Sequence, residues 1–452
     1  VVTGQDQRAI KSVLRDWTDE TVPSIEKQTI LITVMKNHTH LHKLIEVLHG
    51  IKLDRVPVLI IDDEADQAGL NTLVRRGEES TTYRQLVSLR KCFPIHAYLQ
   101  YTATPQAPLL INIIDVLSPN FADVLSPGDS YVGGKDFFLS NNGLVKTIPD
   151  SQISTKIDPP ASLIEAMRIF FIGVRAGYIK NRGQGNRSML VHPSQKTIPH
   201  TRYYEWVIRI KDNWEKTLEQ DINDFDRREL IEEFRTSYLN LKKTADDLPP
   251  FEQIIEGLSR AIRLTQVTKV NASRGKTPQI DWTARYSHIL VGGQAMDRGF
   301  TVEGLTVTYM PRDAGVANAD TIQQRARFFG YKRSYLGYCR VYLESNVIDA
   351  YRQYVSHEED IRMQLNEFHN KPLVEWKRAF FLTKKLKPTR DNVLGLDYQR
   401  GGFSDEWFAP KYPHYSPEAI ITNSQTINAF INNLALHPDE GHKDRTIYQK
   451  HS

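Results

Sequence analysis

At 452 residues the chain is too long for a single hydrophobic core and suits two or three domains. Its 40% hydrophobic and 25% charged residues are ordinary for a soluble globular protein, and a net charge of +4 is compatible with nucleic acid without arguing for it. No run approaches the roughly 18 consecutive apolar residues of a membrane span, and no basic-then-apolar leader opens the chain.

The two cysteines, Cys92 and Cys339, are far apart and lack a CxxC partner. That excludes a thiolate zinc site or a disulfide framework and fits a reducing cytoplasm. The sequence opens on Val1-Val2-Thr3-Gly4-Gln5, which reads as a chain whose true N-terminus is missing.

Residues 28–35 form an apolar, β-branched run that predicts a buried strand, and Leu41, Leu44, Ile45 and Leu48 then recur at helical spacing. A second strand is predicted over 56–61, running into Asp62, Asp63 and Glu64. A third, over 97–101, runs into Thr102-Ala103-Thr104-Pro105. Short apolar strands alternating with helical patterns indicate a parallel α/β sheet, whose function gathers at the strands' carboxyl ends.

Residues 116–158 are rich in Pro, Gly, Ser and Asp and read as an irregular connector. A helix is predicted over 162–180, a strand over 188–191, and a charged helical insertion over about 200–265. Strands follow at 288–291 and 305–310, a helix at about 321–329, a strand at 338–343 and an amphipathic helix at 346–368. The expected domains are 1–115, a connector 116–160, a second α/β lobe 161–370, and a C-terminal region 371–452 of weak pattern.

The sharpest feature is the strand tip Ile61-Asp62-Asp63-Glu64-Ala65-Asp66. Adjacent carboxylates at the end of an apolar strand are how P-loop NTPases hold hydrated magnesium and orient attacking water. Asp63 is assigned to magnesium, through water, and Glu64 to water activation. An acidic loop after a strand is also common without any such role. Thr102 and Thr104, flanking Ala103, supply small hydroxyl groups that could bond the acidic cluster, including Asp66, and couple it to the rest of a motor.

The second half carries a matching pair. Gly292-Gly293 follow a strand and lead through Asp297, Arg298 and Gly299, where glycine permits close backbone approach. Gln324, Arg325, Arg327 and Lys332 then place amide and basic groups on or beside one helix as nucleotide or phosphate contacts. Arg325 and Arg327, two apart, cannot both face one ligand from a regular helix. Arg327 is the candidate arginine finger, with Arg325 or Lys332 as the alternative. A solvated basic helix face has the same composition. No Gly-x-x-x-x-Gly-Lys-Ser/Thr loop is present; Gly128–Gly133 is the nearest decoy, with Gly134, Lys135 and Asp136 out of register. Its absence is attributed to the missing N-terminal part. His192 and His200 lack an acid at useful spacing and read as structural or surface residues.

Taken together, these elements resemble the Z-one domain family, often labelled as endonucleases and associated with a superfamily-two helicase core. The resemblance runs over about residues 28–390. It rests on Val34-Met35-Lys36-Asn37 with Leu41, Ile60 through Ala68 with Asn71-Thr72, and Tyr101 through Ala107. It continues through Ser118-Pro119-Asn120-Phe121, Tyr131-Val132-Gly133-Gly134 and Ser188 through His192. Val291-Gly292-Gly293, Arg298-Gly299, Thr301 through Leu305, Asp320-Thr321 and Phe329-Gly330-Tyr331 complete it. Two departures stand out: Met296-Asp297-Arg298-Gly299 where the family tends to have Leu-Ser-Arg-Gly, and Lys332 where it has arginine, which removes a bidentate phosphate contact.

The resemblance implies two RecA-like P-loop NTPase lobes with parallel sheets, the first N-terminally truncated, the second bearing the helical insertion, plus a small C-terminal region. It implies ATP and magnesium as cofactors and an ATP hydrolase working as a DNA translocase or helicase, in a restriction-modification or phage-defence setting with partner proteins. Single- or double-stranded DNA would cross both lobes on basic residues such as Lys377, Arg378, Lys384 and Lys385, which read equally well as a solvated basic segment. Two alternatives are an endonuclease, for which only Glu375 and Lys377 with Asp360 offer acids near a lysine, and an inactive scaffold binding DNA or a partner.

Overall fold

In the computed structural model the described residues are 4–111, 115–153, 157–194, 197–271, 278–293, 300–311, 317–318, 322–323, 325–376, 386–387, 393–394, 417–434, 436–438 and 449–451. The chain divides into two units, Val1–Tyr398 and Gln399–Ser452.

The first unit begins with α1 (Gly4–Thr18) and α2 (His38–Leu48). The side chain of Asn37 accepts from the Thr39 amide and so starts α2, whose Leu41, Leu44 and Leu48 face inward. Next come β1 (Val58–Asp63), α3 (Thr81–Lys91), β2 (His96–Tyr101) and α4 (Gln106–Leu110). β1 and β2 are parallel, with Val58 opposite His96 and Asp63 opposite Tyr101, and α3 makes the crossover that parallel strands require. Leu41, Leu44 and Leu48 of α2 share a core with Tyr83, Leu86 and Leu89 of α3.

Residues 28–35, expected to be a strand, are not one: Leu31 is 90% exposed and Met35 72%. β-Branched composition fits a pleated surface, but a strand exists only where a neighbour completes its hydrogen-bond ladder, and β1 pairs with β2 instead.

The stretch 116–160 is more ordered than its composition suggests. It contains β3 (Tyr131–Val132), a π-helical turn at Lys135–Leu139, β4 (Val145–Thr147) and α5 (Asp150–Ile153). After α6 (Ala161–Asn181) and β5 (Arg187–Val191) comes a helical block: α7 (Thr197–Leu218), α8 (Phe225–Lys242), α9 (Phe251–Glu256) and α10 (Leu258–Leu264). β6 (Gln266–Val270), β7 (Ser287–Gly292), β8 (Leu305–Met310), β9 (Ala317–Asn318), β10 (Gly330–Tyr331), β11 (Arg340–Leu343), α11 (Ser345–Glu367) and β12 (Leu386–Lys387) complete the unit.

The six-stranded sheet runs β4-β11-β8-β5-β7-β6, parallel throughout. Parallel strands buried on both faces read as continuous apolar runs, and alternate residues serve opposite cores. Met189, Val191, Ile289, Val291, Val307 and Tyr309 pack with Phe170 and Phe171 of α6, Trp206 and Trp214 of α7 and Phe234 of α8. Leu190, Leu290, Leu305, Val341 and Leu343 pack on the other side with Tyr351, Tyr354 and Val355 of α11. Each such fully buried side chain contributes roughly 1.5–3 kcal/mol.

The second unit contains α12 (Pro417–Asn432) and an antiparallel pair, Leu436–Pro438 with Gln449–His451. Among the described residues no helix is long and apolar enough to cross a membrane.

Candidate functional site

The register of β1 and β2 sets the site. It brings Asp62 and Asp63 opposite Gln100 and Tyr101, so the acidic loop and the Thr102–Thr104 loop leave adjacent strand ends on the same side. The period of two along β1 turns Asp62 inward and Asp63 outward: Asp62 is buried, whereas Asp63 and Glu64 are exposed.

Hydrogen bonds then tie the two loops together. The Ala65 amide donates to the Tyr101 carbonyl at 3.0 Å. The Thr102 hydroxyl donates to Asp66 Oδ1 at 2.9 Å, and the Thr104 amide to Thr102 Oγ1 at 2.9 Å. Asp66 is 1% exposed. Ala103 lies at the exposed bend between the two threonines.

Within the acidic loop, Glu64 has φ +53° and Ala68 φ +56°, left-handed backbone that non-glycine residues adopt at a cost. The Glu64 amide donates to Asp63 Oδ1 at 3.1 Å, and Gln67 Nε2 donates to Glu64 Oε2 at 2.7 Å. Lys36 Nζ reaches Asp62 Oδ1 at 2.6 Å and the carbonyls of Asp63 and Glu64 at 2.8 and 2.7 Å. Tyr98 donates its hydroxyl to the other oxygen of Asp62. Burial first, and then the Asp62 charge, raise the Tyr98 pKa, so this hydroxyl remains a donor. Lys36 and Tyr98 were not singled out as site residues from the sequence; an acid turned into the sheet, such as Asp62, is the feature that demands such partners.

The second-half candidates lie around the six-stranded sheet. Gly293 follows β7, and a Cβ there would stand 2.5 Å from His200 Nε2 and 2.6 Å from the Ser194 carbonyl. Glycine is therefore required here by packing. His200, buried, contacts Asn271 Oδ1 at 2.6 Å and the Ser194 carbonyl at 2.8 Å, bracketing the ends of β5 and β6. Asp297, Arg298, Gly299 and Gln324 lie outside the described residues, as do Lys377, Arg378, Lys384 and Lys385.

Arg325 closes a short helical turn, and Arg327 lies in the bend after it, half-buried. The expected regular helix thus ends before Arg327, and the two arginines do not share one helical frame. The adjoining Phe328 and Phe329 anchor this bend against Phe137 and Phe138, with ring centroids 5.4–6.4 Å apart. Lys332 is 5% exposed and its ammonium donates to the Leu305 carbonyl at 2.8 Å; burial pushes its pKa down to about 8.

Two stretches noticed separately in the sequence prove to be neighbours. Tyr131–Val132 pair antiparallel with Gly330–Tyr331. Arg333 Nη1 meets Asp136 Oδ1 at 2.7 Å while Nη2 donates to the Tyr131 carbonyl at 3.0 Å. Gly134, beside the phosphate-loop decoy, lies against Val355 of α11. Among the described residues no group of three or more His, Cys, Asp or Glu side chains is placed to hold a metal ion.

The fold and these loops define a mixed α/β protein built on a parallel sheet covered by helices on both faces. Residues 162–380 match the family model of the Z1 domain, so the chain carries that domain. The match takes in α6 through α11 and the sheet except β4, while the acidic loop and the Thr102–Thr104 loop precede it. No curated protein matches the chain, and no solved structure does.

Proposed function

We propose that the protein is an ATP-dependent DNA translocase or helicase-like motor, with β1 and β2 belonging to one RecA-like lobe and the Z1 domain supplying the second. The observation that carries this reading is the cross-linked pair of loops. Exposed Asp63 and Glu64 stand at the end of a parallel strand, and Thr102 reaches from the neighbouring strand end to the buried Asp66. Inward Asp62 and Asp66 have hydrogen-bonding roles within the protein, which leaves the outward pair for chemistry.

Asp63 presents oxygen donors in solvent, which fits a hydrated magnesium ion held through water. Magnesium would neutralise charge on the phosphates. Glu64 would orient the attacking water, and Arg327 would approach the γ-phosphate from the second lobe. Gly293, Asp297, Arg298 and Gly299 would relay nucleotide state, Gln324 and Arg325 would flank the phosphates, and Lys377, Arg378, Lys384 and Lys385 would meet the DNA backbone. A restriction or phage-defence setting in the cytoplasm suits such a motor.

A second reading is a DNA endonuclease, which the Z1 domain suits. Asp360 accepts from Gln364 at 2.8 Å, and Gln364 accepts from Trp376 Nε1 at 3.1 Å, so two hydrogen bonds link Asp360 to Trp376, the neighbour of Glu375 in the chain.

The test is ATP hydrolysis by the intact protein with and without single- and double-stranded DNA, alongside Glu64→Gln and Arg327→Ala. DNA-stimulated turnover that is lost in both variants supports the motor. Absence of turnover with either DNA sinks it, and magnesium-dependent DNA cleavage without ATP, lost in Glu375→Gln, moves the assignment to a nuclease.

A further inference from the structure

We propose that Lys36 is a positioning residue for the acidic loop: an internal cation that neutralises buried Asp62 and grips the Asp63 and Glu64 carbonyls, holding the two exposed carboxylates in their working orientation. The inference rests on the roles given to Asp63 and Glu64 above.

The geometry is specific. An ammonium has three donors, and Lys36 places one on each of three acceptors within 2.8 Å: Asp62 Oδ1, the Asp63 carbonyl and the Glu64 carbonyl. Asp62 is 5% exposed and the Lys36 side chain 18%, so solvent screens this pair little. The second oxygen of Asp62 is taken by Tyr98. Asp62 is thereby committed to structure, and the division of labour among the three successive acids follows: the inner one anchors, the outer two act.

The grip falls where the backbone is least comfortable. Glu64 holds left-handed φ, and Lys36 binds its carbonyl while Asp63 receives its amide and Gln67 its carboxylate. A strained residue persists only where its surroundings over-determine it, and Lys36 is the one cation among these contacts. The lysine itself is well based. It immediately precedes Asn37, the N-cap of α2, and α2 is fastened into its core by Leu41, Leu44 and Leu48. The segment 28–36, which forms no strand, thus ends in a side chain that reaches the site.

The test compares Lys36→Met, Lys36→Arg and the double variant Lys36→Met/Asp62→Asn, which removes the buried charge together with its partner. Two quantities are read: amide hydrogen exchange over residues 62–68, and kcat and KM for ATP. Lys36→Met is expected to speed exchange over 62–68 while leaving the β5, β7 and β8 peptides unchanged, and to lower kcat roughly 10- to 100-fold with little change in KM. Lys36→Arg is expected to recover part of both. Should Lys36→Met fail to fold, the double variant decides: it is expected to fold yet keep fast loop exchange. Wild-type exchange over 62–68 in Lys36→Met, or in the double variant, overturns the proposal, since the lysine would then only balance a charge. If the wild-type protein hydrolyses no ATP the motor reading falls, and the exchange measurement alone decides the role of Lys36.

Discussion

The hydroxyl of Thr102 donates to the carboxylate of Asp66 across 2.9 Å, joining the loop after β2 to the loop after β1. The same oxygen receives the Thr104 amide, so a single hydroxyl serves as donor to one loop and acceptor within the other. Thr102→Val keeps the shape and removes the hydroxyl. Because Asp66 is 1% exposed, the loss falls on a buried carboxylate, and the variant is expected to be less stable by about 1–3 kcal/mol. Thr102→Ser, which keeps the oxygen, should lose much less. Chemical denaturation of the three proteins checks this, and equal midpoints for the Val and Ser variants would count against the bridge.

The acidic loop was legible because its signal is local: an apolar run ending abruptly in carboxylates marks a strand tip, and the alternation of β1 separates Asp62 from Asp63. The helices at Ala161–Asn181 and Ser345–Glu367 were legible for the same reason, their apolar spacing being long and regular. What escaped the sequence depends on distant partners. Nothing local to residues 28–35 shows that β1 pairs elsewhere, and nothing local to Lys36 reveals that its ammonium meets Asp62. The union of Arg333 with Asp136 spans 197 residues. β4, three residues reading Val-Lys-Thr, carries too little pattern to be seen as a sheet edge.

Gly134 supplies a second test, of packing. A Cβ at this position would lie 2.3 Å from Val355 Cγ2 and 3.2 Å from Cγ1, and Val355 is 1% exposed within the core of α11. The glycine lets the chain between β3 and β4 lie against the helix. Gly134→Ala is therefore expected to cost about 1–3 kcal/mol by overpacking. Val355→Ala opens a space of its own, yet in combination it should relieve the clash. The double variant should then be more stable than the sum of the single losses by more than about 0.5 kcal/mol. Additive losses in a double-mutant cycle would show that the two positions do not press on one another.

His357 of α11 governs the third expectation, a loss of stability in mild acid. It is 3% exposed, and burial lowers its pKa to about 4, with Asp360 pulling weakly in the opposite direction. In the unfolded chain a histidine titrates near 6.5, so between about pH 6.5 and 4 the unfolded state binds a proton that the folded state refuses. Stability therefore falls as pH falls through that window and is unaffected by this group above it. The full excursion is on the order of 3 kcal/mol. His357→Leu removes the titration, so the difference in denaturation midpoint between wild type and variant should shift in favour of the variant as the pH is lowered from 7.5 to 4.5. Other acid-sensitive groups act on both proteins alike, so the difference isolates His357. A difference that stays constant across the range would mean that this imidazole accepts its proton as readily in the folded protein as in the unfolded one.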